Sequence, residues 1–260
     1  MMKLIPRVNE QVVRGWKIVP FIFSRFAAQL ACYWWEARDW IDRGVTLLWS
    51  FGPLEMPFDT FSLARGLLPF TRDVYQNPEE IKEAADAMVE GCLFILKSAV
   101  RLLGIKRVMV ALHRSSNDFI SPDQFTRYSL PSLKTLVERL QEDGIVTILH
   151  CDGNWDLNFE ALRELPAGQC EIQFDGTSDI FKAKDALGDR MCIYGDVPAS
   201  LLALGAPSEV DEYCHRLIEE VGKGGGFVLG TGCELAPNAK PENVKVMLES
   251  VVKYGYYDQT

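Results

Sequence analysis

From Gly44 onward, short runs of β-branched and apolar residues alternate with longer segments whose apolar residues recur at helical spacing. Parallel strands need crossover connections, usually helices, so this alternation predicts a parallel sheet covered by helices. Six runs are predicted strands: Thr46–Trp49, Arg107–Leu112, Val146–Leu149, Cys170–Phe174, Met191–Tyr194 and Phe227–Leu229. A seventh candidate is Ile18–Phe23. The pattern fits an α/β fold, either a closed (β/α)8 barrel of the TIM type or an open doubly wound sheet, and sequence period alone does not separate the two.

The segments between these runs carry signals for helix ends. Asn77 followed by Pro78 is a typical cap and first turn, and Ser121 precedes Pro122 in the same way. The predicted helices are Pro78–Leu103, Pro122–Glu142, Ser178–Leu187, Pro198–Leu204, Ser208–Val221 and Pro241–Tyr254. We expect one barrel domain over residues 44–260, preceded by an atypical segment, residues 1–43, so that the barrel would be incomplete at its N-terminus.

Charge and apolar composition limit the partners of the chain. A net charge of −9 gives no basic field for a phosphate backbone, so nucleic acid is not an expected partner. The two most apolar stretches, Trp16–Trp35 and Met88–Leu103, are interrupted by charged residues and are not expected to span a membrane. Met1–Gly15 lacks the order of regions found in a secretory signal.

The seven cysteines are scattered and odd in number, which indicates free thiols in a reducing compartment and hence a cytoplasmic protein. Most of them are interpreted as packing residues, because free cysteines inside apolar segments behave as small hydrophobic side chains. These are Cys32, Cys92, Cys170, Cys192 and Cys214. His215, within a predicted helix, is expected to be exposed.

Residues able to do chemistry directly follow five consecutive predicted strands. They are His113, then His150 with Cys151 and Asp152, then Asp175, then Asp196, and finally Cys233 with Glu234. The carboxyl ends of parallel strands lie at one rim in both candidate folds, and active sites are found there. We therefore expect these residues to surround a small-molecule substrate, with Asp175, His113 and Asp196 as catalytic candidates.

Each of these residues also has a structural interpretation. His150 could donate to a backbone carbonyl, and Asp175 or Asp196 could be a turn or helix-cap residue. His113 begins a polar loop that could line a pocket or lie at the surface. Cys233 follows a Gly-Thr-Gly turn, which lets a ligand approach the backbone closely but also serves ordinary turn geometry.

His150, Asp152 and Cys233 together offer nitrogen, oxygen and sulfur ligands. Zinc accepts such a set and keeps a fourth position open for a substrate. The three residues are not a self-sufficient motif, since Cys233 is remote in sequence from the other two. The fold must bring them together.

Four stretches of the chain resemble the uroporphyrinogen decarboxylase superfamily. They are Leu149-His150-Cys151-Asp152-Gly153-Asn154, the stretch from Asp175 to Lys184, Gly195-Asp196-Val197-Pro198, and the stretch from Gly232 to Asn243. The resemblance extends from about Gly44 to Tyr254 and implies a (β/α)8 barrel and a shortened chain. It also implies cofactor-binding roles for Asn154 and Glu234, which belong to these motifs.

The superfamily includes two main chemistries. One is decarboxylation of a carboxylated tetrapyrrole, a porphyrinogen, without a cofactor. The Met-Arg-Gln-Ala-Gly-Arg and Phe-Ser-Asp segments that grip that substrate do not occur in this sequence. The other is methyl transfer from a corrinoid to a thiol such as coenzyme M, with zinc activating the thiol.

The methyltransferase pattern places zinc on His-x-Cys and on a Cys in a Gly-Cys-x-x-x-Pro context near the end of the chain. His150 and Cys233 match it, while Asp152 stands at the position of the middle cysteine. The resemblance therefore implies zinc on His150, Asp152 and Cys233, with a corrinoid or a corrinoid protein as partner. The alternatives are a decarboxylase and a non-catalytic binder of a tetrapyrrole or corrinoid. A homodimer is also expected.

Overall fold

The computed structural model describes residues 24–25, 27–45, 47–50 and 53–256. The chain divides into two compact units, Met1–Leu48 and Trp49–Thr260. In the first unit, residues 27–42 are helical and carry several exposed aromatic side chains. The predicted strand Ile18–Phe23 lies outside the described residues. The sheet and the candidate site belong to the second unit.

Among the described residues, the second unit is built on a parallel sheet of six strands. The strands are β1 (Leu54–Glu55), β2 (Arg107–Leu112), β3 (Val146–Cys151), β4 (Cys170–Phe174), β5 (Cys192–Val197) and β6 (Phe227–Thr231). Their order in the sheet is their order in the sequence. A doubly wound sheet reverses strand order at a switch point, whereas a barrel adds each strand beside the last. The observed order therefore favours the barrel, with β1 and β6 as the edges of the described sheet.

Helices cover one face of the sheet. They are α1 (Pro57–Arg65), α2 (Leu67–Gln76), α3 (Pro78–Leu103), α4 (Pro122–Gln124), α5 (Leu130–Gln141), α6 (Phe159–Leu162), α7 (Ile180–Leu187), α8 (Ala199–Leu204), α9 (Pro207–Arg216) and α10 (Pro241–Tyr254). The predictions Pro78–Leu103 and Pro241–Tyr254 are confirmed with their bounds. In the described part of the chain, no helix combines the length and apolarity needed to cross a bilayer.

Two predicted helices contain a wider turn than an α-helix has. Phe125–Ser129 forms a π-helical segment between α4 and α5, and Leu217–Val221 forms another after α9. The predicted helix at Ser208 begins one residue earlier, at Pro207, because Glu209 accepts a hydrogen bond from the backbone N–H of Ala206 and caps this end. The helices α1, α2 and α6 were not predicted.

The first predicted strand, Thr46–Trp49, is wrong. Residues 47–49 lie outside the sheet, and β1 is only the dipeptide Leu54–Glu55. The backbone N–H of Ser50 donates to Arg107 O (2.9 Å), but regular pairing with β2 begins only after Pro53. Proline has no N–H to donate, so a strand begins more readily after it than through it.

Three other strands continue past their predicted ends, and one of them is β6, which reaches Thr231 instead of Leu229. β3 extends to Cys151 and β5 to Val197, so His150, Cys151 and Asp196 lie inside strands rather than after them. The prediction stopped where polar residues begin. Backbone pairing continues because strand residues alternate between two faces, and only one of these faces must be apolar against the helices.

The two faces of the sheet differ in chemistry. Val108, Val110 and Leu112 of β2 pack into the main core with the helices. The alternate residues of the strands point to the opposite face, which we call the inner face. This face is polar at both ends: it carries Arg107 and Glu171 near the strand N-termini and His150 near the strand C-termini.

Arg107 and Glu171 form an ion pair on the inner face. The Glu171 side chain is fully buried, and burial raises the pKa of this carboxyl group although Arg107 acts in the opposite direction. Glu171 Oε1 has no hydrogen-bond partner among the described residues, so Arg107 is the main compensation for the buried charge.

We expect Arg107→Met to lower the free energy of unfolding by roughly 3 kcal/mol, because it leaves a buried carboxylate without its cation. The double variant Arg107→Met/Glu171→Leu should recover most of this loss, since an apolar pair needs no compensation. Urea unfolding of the three proteins at pH 7 measures both effects. If Arg107→Met were as stable as the double variant, Arg107 would not be the compensation for the buried charge of Glu171.

Candidate metal centre

The ends of β3 and β6 bring together His150, Asp152 and Cys233. His150 belongs to β3 and Asp152 follows it two residues later, so both side chains point to the inner face. His150 Nε2 lies 3.1 Å from Asp152 Oδ1 and 3.8 Å from Cys233 Sγ. One ligand atom from each residue lies within 4.8 Å of the other two. The predicted convergence of these three residues is therefore present.

The two separations that involve His150 are close to those of a tetrahedral zinc site. With zinc bonds of about 2.0–2.3 Å, ligand atoms at tetrahedral angles stand about 3.4 Å apart for nitrogen and oxygen and about 3.6 Å apart for nitrogen and sulfur. The corresponding distances from His150 are 3.1 and 3.8 Å. Cys233 is exposed to solvent, which leaves one side of the cluster open.

The thiol of Cys233 lies in an unfavourable environment for a thiolate. Burial raises its pKa, and the carboxylates Asp152, Glu234 and Asp175 act in the same direction. A thiol of this kind keeps its proton near neutral pH unless a cation is close. Binding of a cation at this thiol would require the loss of this proton.

Gln173 fixes the orientation of the His150 ring. His150 Nδ1 lies 2.8 Å from Gln173 Oε1, and the Gln173 amide nitrogen donates to Thr231 O at 3.4 Å. Because an amide oxygen only accepts, Nδ1 carries the proton, and Nε2 faces Asp152 and Cys233. The sequence analysis missed Gln173. Its signal was a polar residue on the inner face of β4, in register with His150.

His113 joins the cluster from the end of β2. Its Nε2 lies 3.2 Å from Asp152 Oδ2, and its Nδ1 lies 2.8 Å from Glu55 Oε2. The hydrogen bond to Glu55 is the largest of the effects that raise the His113 pKa. The structure therefore places His113 at the rim, beside Asp152. Glu55 was not predicted, since a strand of two residues has no visible period.

A buried carboxylate holds the backbone beside His113. Asp59 of α1 is completely buried and accepts hydrogen bonds from the Arg114 backbone N–H (2.9 Å) and from the Ser115 hydroxyl. Burial raises the pKa of Asp59 to about 6. Asp59 was also missed in sequence, because it lies in a helix that was not predicted.

Asp175, a catalytic candidate, has its two carboxylate oxygens directed at neighbouring backbone groups. Oδ2 accepts from the Gly153 N–H (2.9 Å) and Oδ1 from the Thr177 N–H (2.8 Å). Gly232 packs against the same residue, since a Cβ on Gly232 would lie 2.6 Å from the carbonyl atoms of Asp175. Asp175 thus connects the loops after β3, β4 and β6.

The cofactor-binding candidates differ in their surroundings. Asn154 lies in the loop after β3, where its N–H donates to Asp118 Oδ2 (2.9 Å) and its carbonyl accepts from the Asn117 N–H (2.8 Å). Trp155, next in sequence, is fully buried, and its indole N–H donates to Asp152 O (2.9 Å). Glu234 is exposed beside Cys233. Asn154 is therefore held within the loop, while Glu234 is accessible.

Among the described residues, no hydrogen bond or ion pair joins the Asp196 side chain to His150, Asp152 or Cys233. Asp196 Oδ1 accepts a hydrogen bond of 2.7 Å from the Tyr213 hydroxyl of α9, and the pKa of Asp196 is raised to about 6, mainly by burial. It lines a cleft of about 330 Å³ together with Arg216 and the start of α7. The Asp175 carboxylate also acts to raise the pKa of Asp196, so Asp196 lies nearer to Asp175 than to His113 in its interactions among the described residues.

The cysteine predictions hold for most positions. Cys92, Cys170 and Cys214 are buried and Cys192 is half-buried, but Cys32 is exposed, so its interpretation as a packing residue is wrong. Its helix carries other exposed apolar residues, which apolar sequence context alone does not distinguish from buried ones. His215 is exposed and stacks on Tyr254 with ring centroids 4.1 Å apart.

The described architecture and sequence match known proteins. The family model "Uroporphyrinogen decarboxylase (URO-D)" matches residues 43–254. Uroporphyrinogen decarboxylase from Pseudoalteromonas atlantica is 25% identical over 188 residues, which cover 70% of this chain and 50% of that protein. The corresponding protein from Syntrophotalea carbinolica is 26% identical, over 72% of this chain and 53% of its own length. The chain thus spans about half the length of these curated relatives.

One solved structure supports the fold assignment. A methyltransferase from Methanosarcina mazei superposes with a TM-score of 0.67 and 22% sequence identity, covering 79% of this chain and 58% of that chain. At this identity the likeness concerns the fold. It agrees with the sequential strand order, and the predicted α/β fold of the TIM-barrel type is confirmed.

Asp59 should make stability depend on pH. Its pKa is about 6 in the folded chain, against about 3.9 expected after unfolding, so its contribution is complete below pH 4 and is lost as the pH rises through 6. A shift of two units corresponds to about 3 kcal/mol. We expect the free energy of unfolding of the wild type to fall by about this amount relative to Asp59→Asn between pH 4 and 7. Urea unfolding in the presence of a chelator measures it.

The exposed residue Asp185 of α7 provides the matched control. Asp185→Asn should follow the wild type at every pH. If Asp59→Asn also followed the wild type, burial of an ionisable Asp59 would not govern the pH dependence.

Proposed function

Because the chain belongs to the uroporphyrinogen decarboxylase family, we propose that it is a zinc-dependent enzyme that transfers a methyl group between a corrinoid and a thiol. The single observation that carries this proposal is the meeting of His150, Asp152 and Cys233 at the end of the barrel strands, with ligand atoms within 4.8 Å of one another. A nitrogen, oxygen and sulfur set of three protein ligands is typical of catalytic zinc, which keeps a fourth position for the substrate.

Zinc bound there would lower the pKa of a coordinated substrate thiol, so that the thiol reacts as a thiolate near neutral pH. His150 would bind through Nε2, because Gln173 occupies its other ring nitrogen. Cys233 would bind as the sulfur ligand. Since Cys233 is exposed, the acceptor thiol can approach from solvent on that side.

In the proposed reaction, the sulfur of the acceptor thiolate attacks the methyl carbon of the corrinoid. The sulfur–carbon bond forms as the cobalt–carbon bond breaks, and the electron pair of that bond remains on cobalt. The corrinoid would be a substrate, either free or presented by a partner protein.

Decarboxylation of a carboxylated tetrapyrrole is a second candidate, because the curated relatives are uroporphyrinogen decarboxylases. In that case Asp175 and His113 would position the substrate. Incubation with uroporphyrinogen, followed by analysis of the porphyrins formed, distinguishes the two activities. A binder without catalytic activity would change corrinoid absorbance and give neither product.

We expect the protein, purified without chelator, to contain about one zinc per chain, and His150→Ala and Cys233→Ser to reduce the zinc content to a small fraction of this. Each substitution removes one of three protein ligands, and the affinity of the remaining two is too low to retain zinc when the protein is desalted. Elemental analysis of the desalted proteins gives the ratio.

Matched controls are available in the same chain. His215→Ala and Cys32→Ser replace an exposed histidine and an exposed cysteine outside the cluster and should leave the zinc content unchanged. A wild-type protein without stoichiometric zinc would remove the basis of the proposal.

With methylcobalamin as donor and coenzyme M as acceptor, the wild type should form the thioether and demethylated cobalamin in equal amounts. His150→Ala and Cys233→Ser should lower the rate at least a hundredfold, because a thiol without zinc stays protonated. Absorbance of the cobalamin and chromatography of the thioether follow the two products. Formation of one product without the other would exclude methyl transfer.

A further inference from the structure

Each carboxylate oxygen of Asp152 lies beside a different imidazole ring. Its Oδ1 lies 3.1 Å from His150 Nε2, whereas its Oδ2 lies 3.2 Å from His113 Nε2. His113 in turn places Nδ1 2.8 Å from Glu55 Oε2. Asp152 therefore divides its two oxygens between two imidazole rings, and only one of these rings belongs to the proposed ligand set.

We propose that His113 and Glu55 are positioning residues of the metal centre, which hold Asp152 so that Oδ1 is its metal-binding oxygen. This inference rests on the proposed zinc site and adds two residues, His113 and Glu55, that orient one of its ligands. An Asp side chain that binds through one oxygen leaves the other free to rotate or to compete for the ion. A hydrogen bond from His113 to Oδ2 removes this freedom.

The geometry around His113 supports this role. Each ring nitrogen lies within hydrogen-bond distance of a different carboxylate, Nδ1 of Glu55 and Nε2 of Asp152. The ring therefore lies between the two carboxylates and links Asp152 to a residue of β1.

The backbone beside His113 is held as well. Asp59 accepts a hydrogen bond from the Arg114 N–H (2.9 Å), and the Arg114 side chain donates to the His113 carbonyl (3.0 Å). His113 is therefore fixed through both its main chain and its side chain. A donor fixed in this way can set the orientation of a half-exposed carboxylate such as Asp152, whose side chain is 31% exposed.

The first test measures zinc affinity in competition with a chromophoric chelator. We expect His113→Ala to bind zinc 10–100-fold more weakly than the wild type while still reaching one zinc per chain at saturation, because all three ligands remain. His113→Gln should recover most of the affinity, since its terminal amide can donate to Asp152 Oδ2. General destabilisation of the fold would not be reversed by this variant.

The second test uses cobalt(II) as a spectroscopic probe. In His113→Ala the sulfur-to-cobalt charge-transfer band should persist, because Cys233 is retained, while the ligand-field bands should shift as Asp152 loses its fixed orientation. Glu55→Gln keeps the shape of the residue and removes its charge, so it should weaken zinc binding by a smaller factor than His113→Ala. Thermal unfolding without metal verifies that each variant is folded.

An exposed pair provides the matched controls. His215 Nε2 lies 3.9 Å from Glu219 Oε2 on the outer surface, and His215→Ala and Glu219→Gln should leave zinc affinity within twofold of the wild type. If His113→Ala also stays within twofold while His150→Ala loses zinc, His113 does not position Asp152 and the inference is wrong. If the wild type itself binds no zinc, the proposed function fails and this inference fails with it.

Discussion

The parallel register of the strands is the constraint on which the metal centre depends. His150 is paired with Ala111 on one side and with Gln173 on the other, so the position of its ring follows from backbone hydrogen bonds on both sides. Gln173 then fixes Nδ1. A shift of one residue in this register would turn His150 toward the helices and remove both the ligand and its support.

Polar groups at the two ends of the inner face serve different purposes. Near the strand N-termini, Glu171 is fully buried and its charge is compensated by Arg107. Near the strand C-termini, His150, Asp152 and Cys233 remain accessible from solvent to different degrees. An accessible group can exchange water for a ligand, whereas a buried ion pair cannot, which is why we place the chemistry at the second end.

Much of the fold could be predicted from the sequence, because β2 to β6 combine apolar runs with helical crossovers of ordinary length. The prediction failed at β1, where only two residues pair with β2, and at α1 and α2, which follow it. His150, Asp152 and Cys233 were predicted because they lie at or shortly after the predicted ends of apolar strands. Glu55, Asp59 and Gln173 were missed, since their partners are fixed by spatial register and not by spacing along the chain. Asp196 was grouped with the rim residues, but its side chain turns to Tyr213.

Gly232, in the loop that leads to Cys233, stands at a position that has no room for a side chain. A Cβ at this position would lie 2.6 Å from the carbonyl atoms of Asp175, so any side chain there would enter space that the backbone of a neighbouring loop already fills. Even alanine would have to push the two loops apart and carry the adjacent thiol with it. In a library randomised at this position, glycine alone should preserve the placement of Cys233, although the residue itself offers no atom to a ligand.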